Sequence, residues 1–202
     1  GHAAAIRAAD LGAAVTLVEE RDLGGTCLNR GCIPTKVFLE AVRFVRLLQR
    51  ADTMGIDVGQ WSFNLARLVD RKEKVVSDLR KSLGKLLDSR RVKVVNGRGR
   101  IESRDKVVVE GRGGFAELDC DSIVIATGSR PAPRSDWGEV DTTDSIFDLR
   151  SMPKSLAIIG GGTTGVELST IFSALGSSVT LLEARDQVLP DADVEISHAC
   201  EG

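Results

Sequence analysis

The hydrophobic and polar positions of the chain alternate between helical and strand periods, in the order typical of α/β proteins. Residues 62–88 carry apolar side chains every three to four positions with charges between them, which predicts an amphipathic helix packed on a core. Residues 37–49 follow the same period. Short apolar runs bounded by glycines or charges predict strands at 92–95, 106–109, 115–118, 122–126 and 155–159. The first three strands predict a β-meander, and the last two predict buried strands.

The beginning of this pattern is repeated near the end of the chain. Residues 1–19 align without gaps on residues 165–183, and glycine, apolar and acidic positions coincide. Each copy predicts a helix, a glycine stop, a short apolar strand and a carboxylate at the strand end, Glu19 or Glu183. The predicted fold class is therefore α/β, with two Rossmann-like dinucleotide-binding domains, each a parallel sheet with helices, and an added meander.

A glycine-rich turn follows the strand predicted at 155–159. Gly160, Gly162 and Gly165 fit G-x-G-x-x-G, a pattern that lets the backbone approach a pyrophosphate at a helix N-terminus. Glu183 follows at the end of the next strand, where a carboxylate can bind the ribose hydroxyls of an adenosine. The alternative is a glycine turn with a purely structural use. The flanking strands and the acidic residue favour dinucleotide binding.

The chain ends interrupt both copies. By the alignment, Gly1 is the third glycine of a first fingerprint whose strand and earlier glycines are not in the sequence. Residues 193–202 begin a helix and leave the second sheet with only two clear strands. We therefore expect a fragment of a longer protein, with domains at 1–134 and 135–202, both truncated at the chain ends. The proline-containing segment 130–136 is the predicted linker.

Cys27 and Cys32 lie five positions apart in the segment GGTCLNRGCIPTK, residues 24–36. A disulfide across so short a loop contributes only about 2 kcal/mol of loop-closure stabilisation, which favours a redox-active pair over a structural bridge. Pro34 suits the first turn of a helix, so Cys32 is expected at a helix N-terminus, where the dipole favours a thiolate. Lys36, one turn on, can stabilise that thiolate. The alternatives are two unpaired buried thiols or half of a zinc site, but the other cysteines and histidines lack ligand-like spacing, and no metal site is predicted.

Composition changes this picture little. The formal net charge of -2 argues against a general nucleic-acid or membrane-surface binder. The sequence contains no apolar run of membrane-spanning length and no visible signal peptide. Four cysteines in 202 residues favour a reducing compartment. We expect a cytoplasmic location of bacterial type, with the mitochondrial matrix left open because the natural start is not in the sequence.

Several segments together resemble the FAD-dependent pyridine nucleotide–disulfide oxidoreductases over essentially the whole chain. They are the cysteine segment, ATGSRP at 126–131, IIGGGTTGVE at 158–167 and DQVLP ending at Pro190. The LNR and IPTK runs of the cysteine segment favour the dihydrolipoyl dehydrogenase branch. The resemblance implies that residues 1–134 form an FAD-binding domain and residues 135–202 the N-terminal part of an NAD-binding domain.

The resemblance also implies roles for single residues. Cys27 would exchange with the dithiol substrate, and Cys32 would be the thiol beside the flavin. Lys36 would lie at the flavin ring and pair with Glu167. The implied cofactor-binding residues of the first domain are Gly1, Glu19, Gly24, Gly25, Thr26, Cys27, Lys36, Gly99, Thr127 and Gly128. Those of the second domain are Gly160, Gly162, Gly165 and Glu183.

For the whole enzyme, the resemblance implies that dihydrolipoamide attacks Cys27, forms a mixed disulfide and releases Cys32 as a thiolate. Electrons then pass to FAD, and from FAD to NAD as hydride. The implied partners are the lipoyl domains of 2-oxoacid dehydrogenase complexes or the glycine cleavage system. The family base is a histidine of the partner subunit in a homodimer, and neither His2 nor His198 matches it. We therefore expect the isolated chain to be inactive.

Two other functions stay open. A glutathione or mercuric reductase would carry electrons from NADPH into the disulfide. Glu183 would repel the 2′-phosphate of NADPH, whereas the nearby Arg185 would attract it. A non-catalytic dinucleotide-binding redox module would keep the cysteines only as a switch. Lys36 and Glu167 argue against that second alternative, because a sensor does not need polar residues at the flavin.

Overall fold

A computed structural model of the chain describes residues 1–111, 113–132 and 138–201. Its helices are α1 (His2–Asp10), α2 (Gly25–Asn29), α3 (Cys32–Gln49), α4 (Leu65–Ser89), α5 (Thr163–Ala174) and α6 (Val194–Glu201). Its strands are β1 (Thr16–Glu19), β2 (Lys93–Asn96), β3 (Arg98–Ile101), β4 (Lys106–Gly111), β5 (Gly114–Asp119), β6 (Ser155–Ile159) and β7 (Ser178–Leu182). No helix of the described residues combines the length and the apolar character needed to cross a bilayer.

The strands form two parallel pairs and one antiparallel meander, which confirms the mixed α/β fold class. Strand β1 pairs in parallel with β2, and β6 pairs in parallel with β7. Strands β3, β4 and β5 are antiparallel neighbours in chain order. Helix α5 connects β6 to β7, as expected for a strand–helix–strand crossover between parallel strands. This arrangement places the glycine-rich turn of residues 160–165, the second glycine loop, at the carboxyl end of β6.

The chain packs as two compact units. The first consists of Gly1–Pro34 and Glu73–Ser145, and the second of Thr35–Lys72 and the chain from Ile146 onward. The expected domains, 1–134 and 135–202, stay a prediction. Their boundary and most of the predicted linker lie at residues 133–137, outside the described residues.

Each unit has its own buried cluster. In the first unit, Ala5 of α1 packs with Leu87 of α4 and with Val92. In the second unit, α3, the first turns of α4, the turn Ile146–Asp148 and α5 share a larger cluster. The buried members of this larger cluster are Phe38, Val42, Val45, Leu65, Leu68, Val69, Ile146, Phe147, Ile171, Phe172 and Leu175. Most of the apolar stripe of α4 therefore packs in these cores, as the sequence predicts, whereas its members Leu79 and Leu86 are 39% and 37% exposed.

The predicted meander is wrong in one strand. The run 92–95 was expected in the meander, but β2 lies beside β1 instead, because α4 returns the chain parallel to β1. The meander is completed by β3, its first strand in chain order, which no sequence pattern predicted. Gly97 lies between β2 and β3, where the chain passes from one sheet to the other. Its φ of +157° is a conformation that residues with a side chain rarely adopt.

Two expectations of burial also fail. The predicted buried strand at 122–126 is wrong: this run pairs with no described strand, and Val124 and Ile125 are 73% and 70% exposed. An apolar run becomes a strand only where a neighbouring backbone supplies hydrogen bonds. Strand β6 is present as predicted, but of its residues only Ile158 is buried. The neighbouring Ile159 is exposed, because β6 and β7 form a pair without further described strands.

Candidate dinucleotide and dithiol site

The second glycine loop has the backbone geometry that the sequence pattern predicts. Gly160 has a φ of +108°, and its carbonyl lies so close to Gly165 that a Cβ added to Gly165 would be 1.9 Å from the oxygen. Gly162 precedes the first residue of α5 and has open space where a Cβ would stand. The loop therefore needs glycine at Gly165 for its fold and leaves room at Gly162 for a ligand. This cradle fits a dinucleotide pyrophosphate at the N-terminus of a twelve-residue helix.

Glu183 is already fixed against this loop. Its carboxylate accepts a hydrogen bond of 2.9 Å from the backbone N–H of Arg185 and one of 2.6 Å from that of Gly161. These backbone bonds, that from Arg185 first, hold the pKa of Glu183 below its ordinary value. A Cβ on Gly161 would lie 3.0 Å from that of Glu183. The carboxylate expected to bind ribose thus stands beside the expected pyrophosphate loop.

A second contact holds Gly161 through its carbonyl, and no sequence pattern predicted it. The backbone N–H of Leu189 donates a 2.7 Å hydrogen bond to the carbonyl of Gly161. Leu189 has a φ of +48°, and its neighbour Val188 is bound by α6. The Ser197 hydroxyl donates a hydrogen bond to the carbonyl of Val188, and the backbone N–H of Val188 donates one to the carboxylate of Glu201. The run 185–192 and α6 therefore support the glycine loop.

The first copy repeats the geometry at the strand end. Glu19 accepts a 2.9 Å hydrogen bond from the N–H of Arg21, as Glu183 does from Arg185. The glycine stops of the two copies, Gly12 and Gly176, have φ values of +92° and +111°. The alignment of the two copies therefore extends to backbone conformation and to carboxylate orientation.

The other cofactor-binding residues expected in the first unit lie in three places. Gly1 precedes α1, and a Cβ there would contact Leu17 at 3.6 Å and Ala126 at 3.8 Å. Gly99 lies in β3, where a Cβ would stand 3.3 Å from Val18 of β1. Thr127 and Gly128 follow the exposed run 122–126 outside any strand. Gly1 and Gly99 thus both border β1, whose end carries Glu19.

The cysteine segment folds as two helices joined by a tight turn. Gly24 and Gly25 have φ values of +107° and +67°, so the chain enters α2 in a conformation that favours glycine. The Thr26 carbonyl accepts 2.8 Å hydrogen bonds from the N–H groups of Arg30 and Gly31. A Cβ on Gly31 would lie 3.5 Å from the Cα of Cys27. The turn thus folds back onto the residue that carries the first thiol.

Cys32 is the first residue of α3, which confirms its predicted position at a helix N-terminus. Pro34 and Thr35 of the first turn are buried, whereas Cys27, Cys32 and Lys36 are exposed. Both thiols are therefore accessible from solvent, and Cys32 lies at the start of an eighteen-residue helix.

Among the described residues, no ion pair joins Lys36 and Glu167, and their pairing in the complete protein stays a prediction. Nor does any group of His, Cys, Asp and Glu side chains in residues 1–111, 113–132 and 138–201 have the arrangement of a metal site. The structure thus brings Gly160, Gly165 and Glu183 together.

Comparison with known proteins identifies relatives over the whole chain. The family model described as pyridine nucleotide-disulphide oxidoreductase matches residues 1–202. Dihydrolipoyl dehydrogenase from Acholeplasma laidlawii is 39% identical, covering 98% of this chain and 61% of the relative. Dihydrolipoyl dehydrogenase from Bacillus subtilis is 37% identical, covering 98% of this chain and 44% of the relative. The chain thus spans about half the length of the curated relatives it matches.

Solved structures agree with this result. LpdA from Mycobacterium tuberculosis superposes with a TM-score of 0.90 at 26% identity, covering 100% of this chain and 46% of that one. The Cu(II) complex of the HOCl-induced flavoprotein disulfide reductase RclA from Escherichia coli gives a TM-score of 0.81 at 29% identity, covering 99% and 43%. The chain belongs to the pyridine nucleotide-disulphide oxidoreductase family.

Proposed function

We propose that this chain is the dithiol-reacting and dinucleotide-binding part of an FAD- and NAD-dependent dihydrolipoyl dehydrogenase. The observation that carries the proposal is the exposed pair Cys27 and Cys32, with Cys32 opening α3, in a chain related to dihydrolipoyl dehydrogenases along its length. The proposed reaction is oxidation of protein-bound dihydrolipoamide to lipoamide with reduction of NAD.

The second glycine loop would hold NAD. Gly162 leaves space for the pyrophosphate, and the N-terminus of α5 favours its negative charge. Glu183 would bind the ribose hydroxyls through lone pairs that its bonds to Gly161 and Arg185 leave available. A phosphate on that ribose would meet a carboxylate kept ionised by its two backbone donors, which favours NAD over NADP.

Residues 1–134 would hold FAD. Glu19, oriented by Arg21, would bind the adenosine ribose, and Gly1 would approach the pyrophosphate. The other residues that would contact FAD are Gly24, Gly25, Thr26, Cys27, Lys36, Gly99, Thr127 and Gly128. Bound FAD would supply the step that this chain's own residues cannot, namely transfer of an electron pair from thiols to NAD as hydride.

The two cysteines would divide the thiol chemistry. A dihydrolipoamide thiolate attacks the Cys27 sulfur of the oxidised pair, the bond between the cysteine sulfurs breaks, and Cys32 leaves as a thiolate. The second substrate thiol, once deprotonated, attacks the mixed disulfide, which releases lipoamide and the Cys27 thiolate. Cys32 begins α3, and Lys36 lies one turn further along the same helix. Glu167 would be the acidic partner of Lys36 in the complete protein.

The setting of the enzyme is part of the proposal. Lipoyl domains of 2-oxoacid dehydrogenase complexes or of the glycine cleavage system would present the dithiol. The complete protein would be a cytoplasmic homodimer whose partner subunit contributes the catalytic base, with no nucleic-acid or membrane partner. The reverse reaction of an NADPH-dependent disulfide reductase is the alternative, and the ionised Glu183 opposes the phosphate that such an enzyme must bind.

The experiment is reduction of the full-length enzyme under anaerobic conditions. Dihydrolipoamide should reduce NAD and produce a long-wavelength thiolate–flavin absorption band. Cys27→Ser should keep the band, because Cys32 remains beside the flavin, whereas Cys32→Ser should lose it. Cys120→Ser is the matched control and should behave as wild type. A band that survives Cys32→Ser, or an enzyme that accepts only NADPH and a disulfide, would contradict the proposal.

A further inference from the structure

One arginine on α4 binds two points of the cysteine segment at once. The guanidinium of Arg80 donates hydrogen bonds of 3.1 Å and 2.7 Å to the side-chain oxygen of Asn29. It also forms an ion pair of 3.1 Å with Asp22. All three guanidinium nitrogens of Arg80 therefore contact the cysteine segment, a geometry that a lysine cannot reproduce.

Asn29 passes this contact on to the backbone. Its side-chain N–H groups donate to the carbonyls of Gly25 at 2.9 Å and Leu23 at 3.0 Å. The amide of Asn29 thus connects Arg80 to both sides of the left-handed entry into α2. Since Asp22 precedes that entry and Asn29 ends α2, Arg80 holds both ends of the run that contains Cys27.

We propose that Arg80 is a positioning residue for Cys27, acting through Asn29 and Asp22 to hold the turn that presents this thiol to the dithiol substrate. The inference rests on the proposed function, because Cys27 is taken there as the substrate-reacting thiol. Arg80 does not touch the reacting sulfur. Its effect is on where the sulfur stands when the substrate thiolate attacks, and misplacement of a reacting group by about 1 Å can cost on the order of 10²-fold in rate.

Another arginine of the same unit serves as a matched control. Arg90 forms an ion pair of 3.3 Å with Asp10, and its side chain is 41% exposed against 38% for Arg80. An isolated pair at this exposure contributes little to stability. Arg90→Lys therefore changes the same chemical group away from the cysteine segment, and Arg80→Lys keeps the charge while losing the fork.

The experiment uses the flavin-loaded full-length enzyme and two readouts. In Arg80→Lys, hydrogen exchange of the Arg30 and Gly31 amides, which both donate to the Thr26 carbonyl, should become about tenfold faster. The rate of flavin reduction by dihydrolipoamide or dithiothreitol should fall about tenfold. Reduction by NADH should stay within about twofold, and Arg90→Lys should match wild type in both readouts.

Three outcomes would overturn the role of Arg80. They are unchanged amide exchange, faster exchange without slower reduction by dithiols, and an equal loss in the dithiol and NADH reactions. Asp22→Asn keeps the contacts of Asn29 and weakens the ion pairs of Asp22 with both Arg80 and Arg30. Compared with Arg30→Lys, it provides a second test if Arg80→Lys does not fold: a loss in the dithiol reaction alone that exceeds the loss in Arg30→Lys is expected, and no such excess would count against the proposal. If wild type reacts with dithiothreitol but not with dihydrolipoamide, the proposed function fails, and the dithiothreitol comparison still decides the role of Arg80.

Discussion

The carboxylate of Glu183 and the backbone N–H of Gly161 are joined by a hydrogen bond of 2.6 Å, so the residue expected to read the ribose is also part of the loop expected to bind the pyrophosphate. Binding then need not order this side chain, because the chain itself has already oriented it. Pre-organisation of this kind raises affinity by lowering the entropy cost of binding.

Glu183→Gln should weaken NAD binding by about tenfold and reduce discrimination against NADP. Glutamine has one acceptor oxygen where the carboxylate has two, so it cannot serve Gly161 and Arg185 in the same way, and it no longer repels a phosphate. Calorimetric titration of the flavin-loaded enzyme with NAD and NADP would measure both effects. Glu195→Gln, at an exposed site on α6, is the control and should change neither affinity. Wild-type discrimination in Glu183→Gln would contradict the assignment.

The stability contributed by Glu183 should depend on pH in a defined direction. Because its pKa is lowered in the folded chain, first by Arg185 and then by Gly161, the contribution is complete above the ordinary carboxyl pKa. It is lost as pH falls through the lowered value. Urea unfolding of wild type and Glu183→Gln should therefore differ by a constant amount near neutrality and converge in acid. A gap that widens as pH falls would show that the sign is wrong.

Two glycines of the second loop should separate folding from binding. Gly165→Ala should destabilise the protein by about 1–3 kcal/mol, because its Cβ would overlap the Gly160 carbonyl. Gly162→Ala should leave the free energy of unfolding nearly unchanged, since the site is open and its φ of -70° suits any residue. It should still reduce NAD affinity at least about tenfold by occupying the space left for the pyrophosphate. Denaturation and NAD titration of both variants test this, and full NAD affinity in Gly162→Ala would contradict it.

Gly84→Ala should stabilise the protein by about 0.5–1 kcal/mol. Gly84 lies inside α4, its φ is not positive, and a Cβ there meets nothing within 4 Å. Gly55→Ala is the matched opposite, because that site is equally open but has a φ of +73°, and it should be destabilising. Thermal unfolding measured for both would show opposite changes in Tm, and a shared direction would count against this account.

Local signals explain what the sequence predicted well. The repeated helix, glycine stop, strand and carboxylate are each encoded within a few neighbouring residues, so Gly12, Gly176, Glu19 and Glu183 fall where expected. Pro34 likewise fixes the first turn of α3 and hence the position of Cys32.

Long-range contacts explain what the sequence did not reveal. The run 122–126 has strand composition, yet strand formation depends on a neighbouring backbone that composition cannot supply. The contact of Arg80 with Asn29 joins positions 51 residues apart, and a helix surface arginine carries no local mark of its partner. The bond from Leu189 to Gly161 is similarly invisible, since it involves two backbone groups.

The matching turns at Glu19–Arg21 and Glu183–Arg185 have a consequence for how such a chain can evolve. In each copy, an amide only two residues downstream donates to the carboxylate, so this part of the carboxylate's orientation depends only on the local backbone. Duplication of an ancestral domain would copy this turn of three residues into both halves of the chain. Substitutions in one of these turns could then change the nucleotide preference of one copy independently of the other.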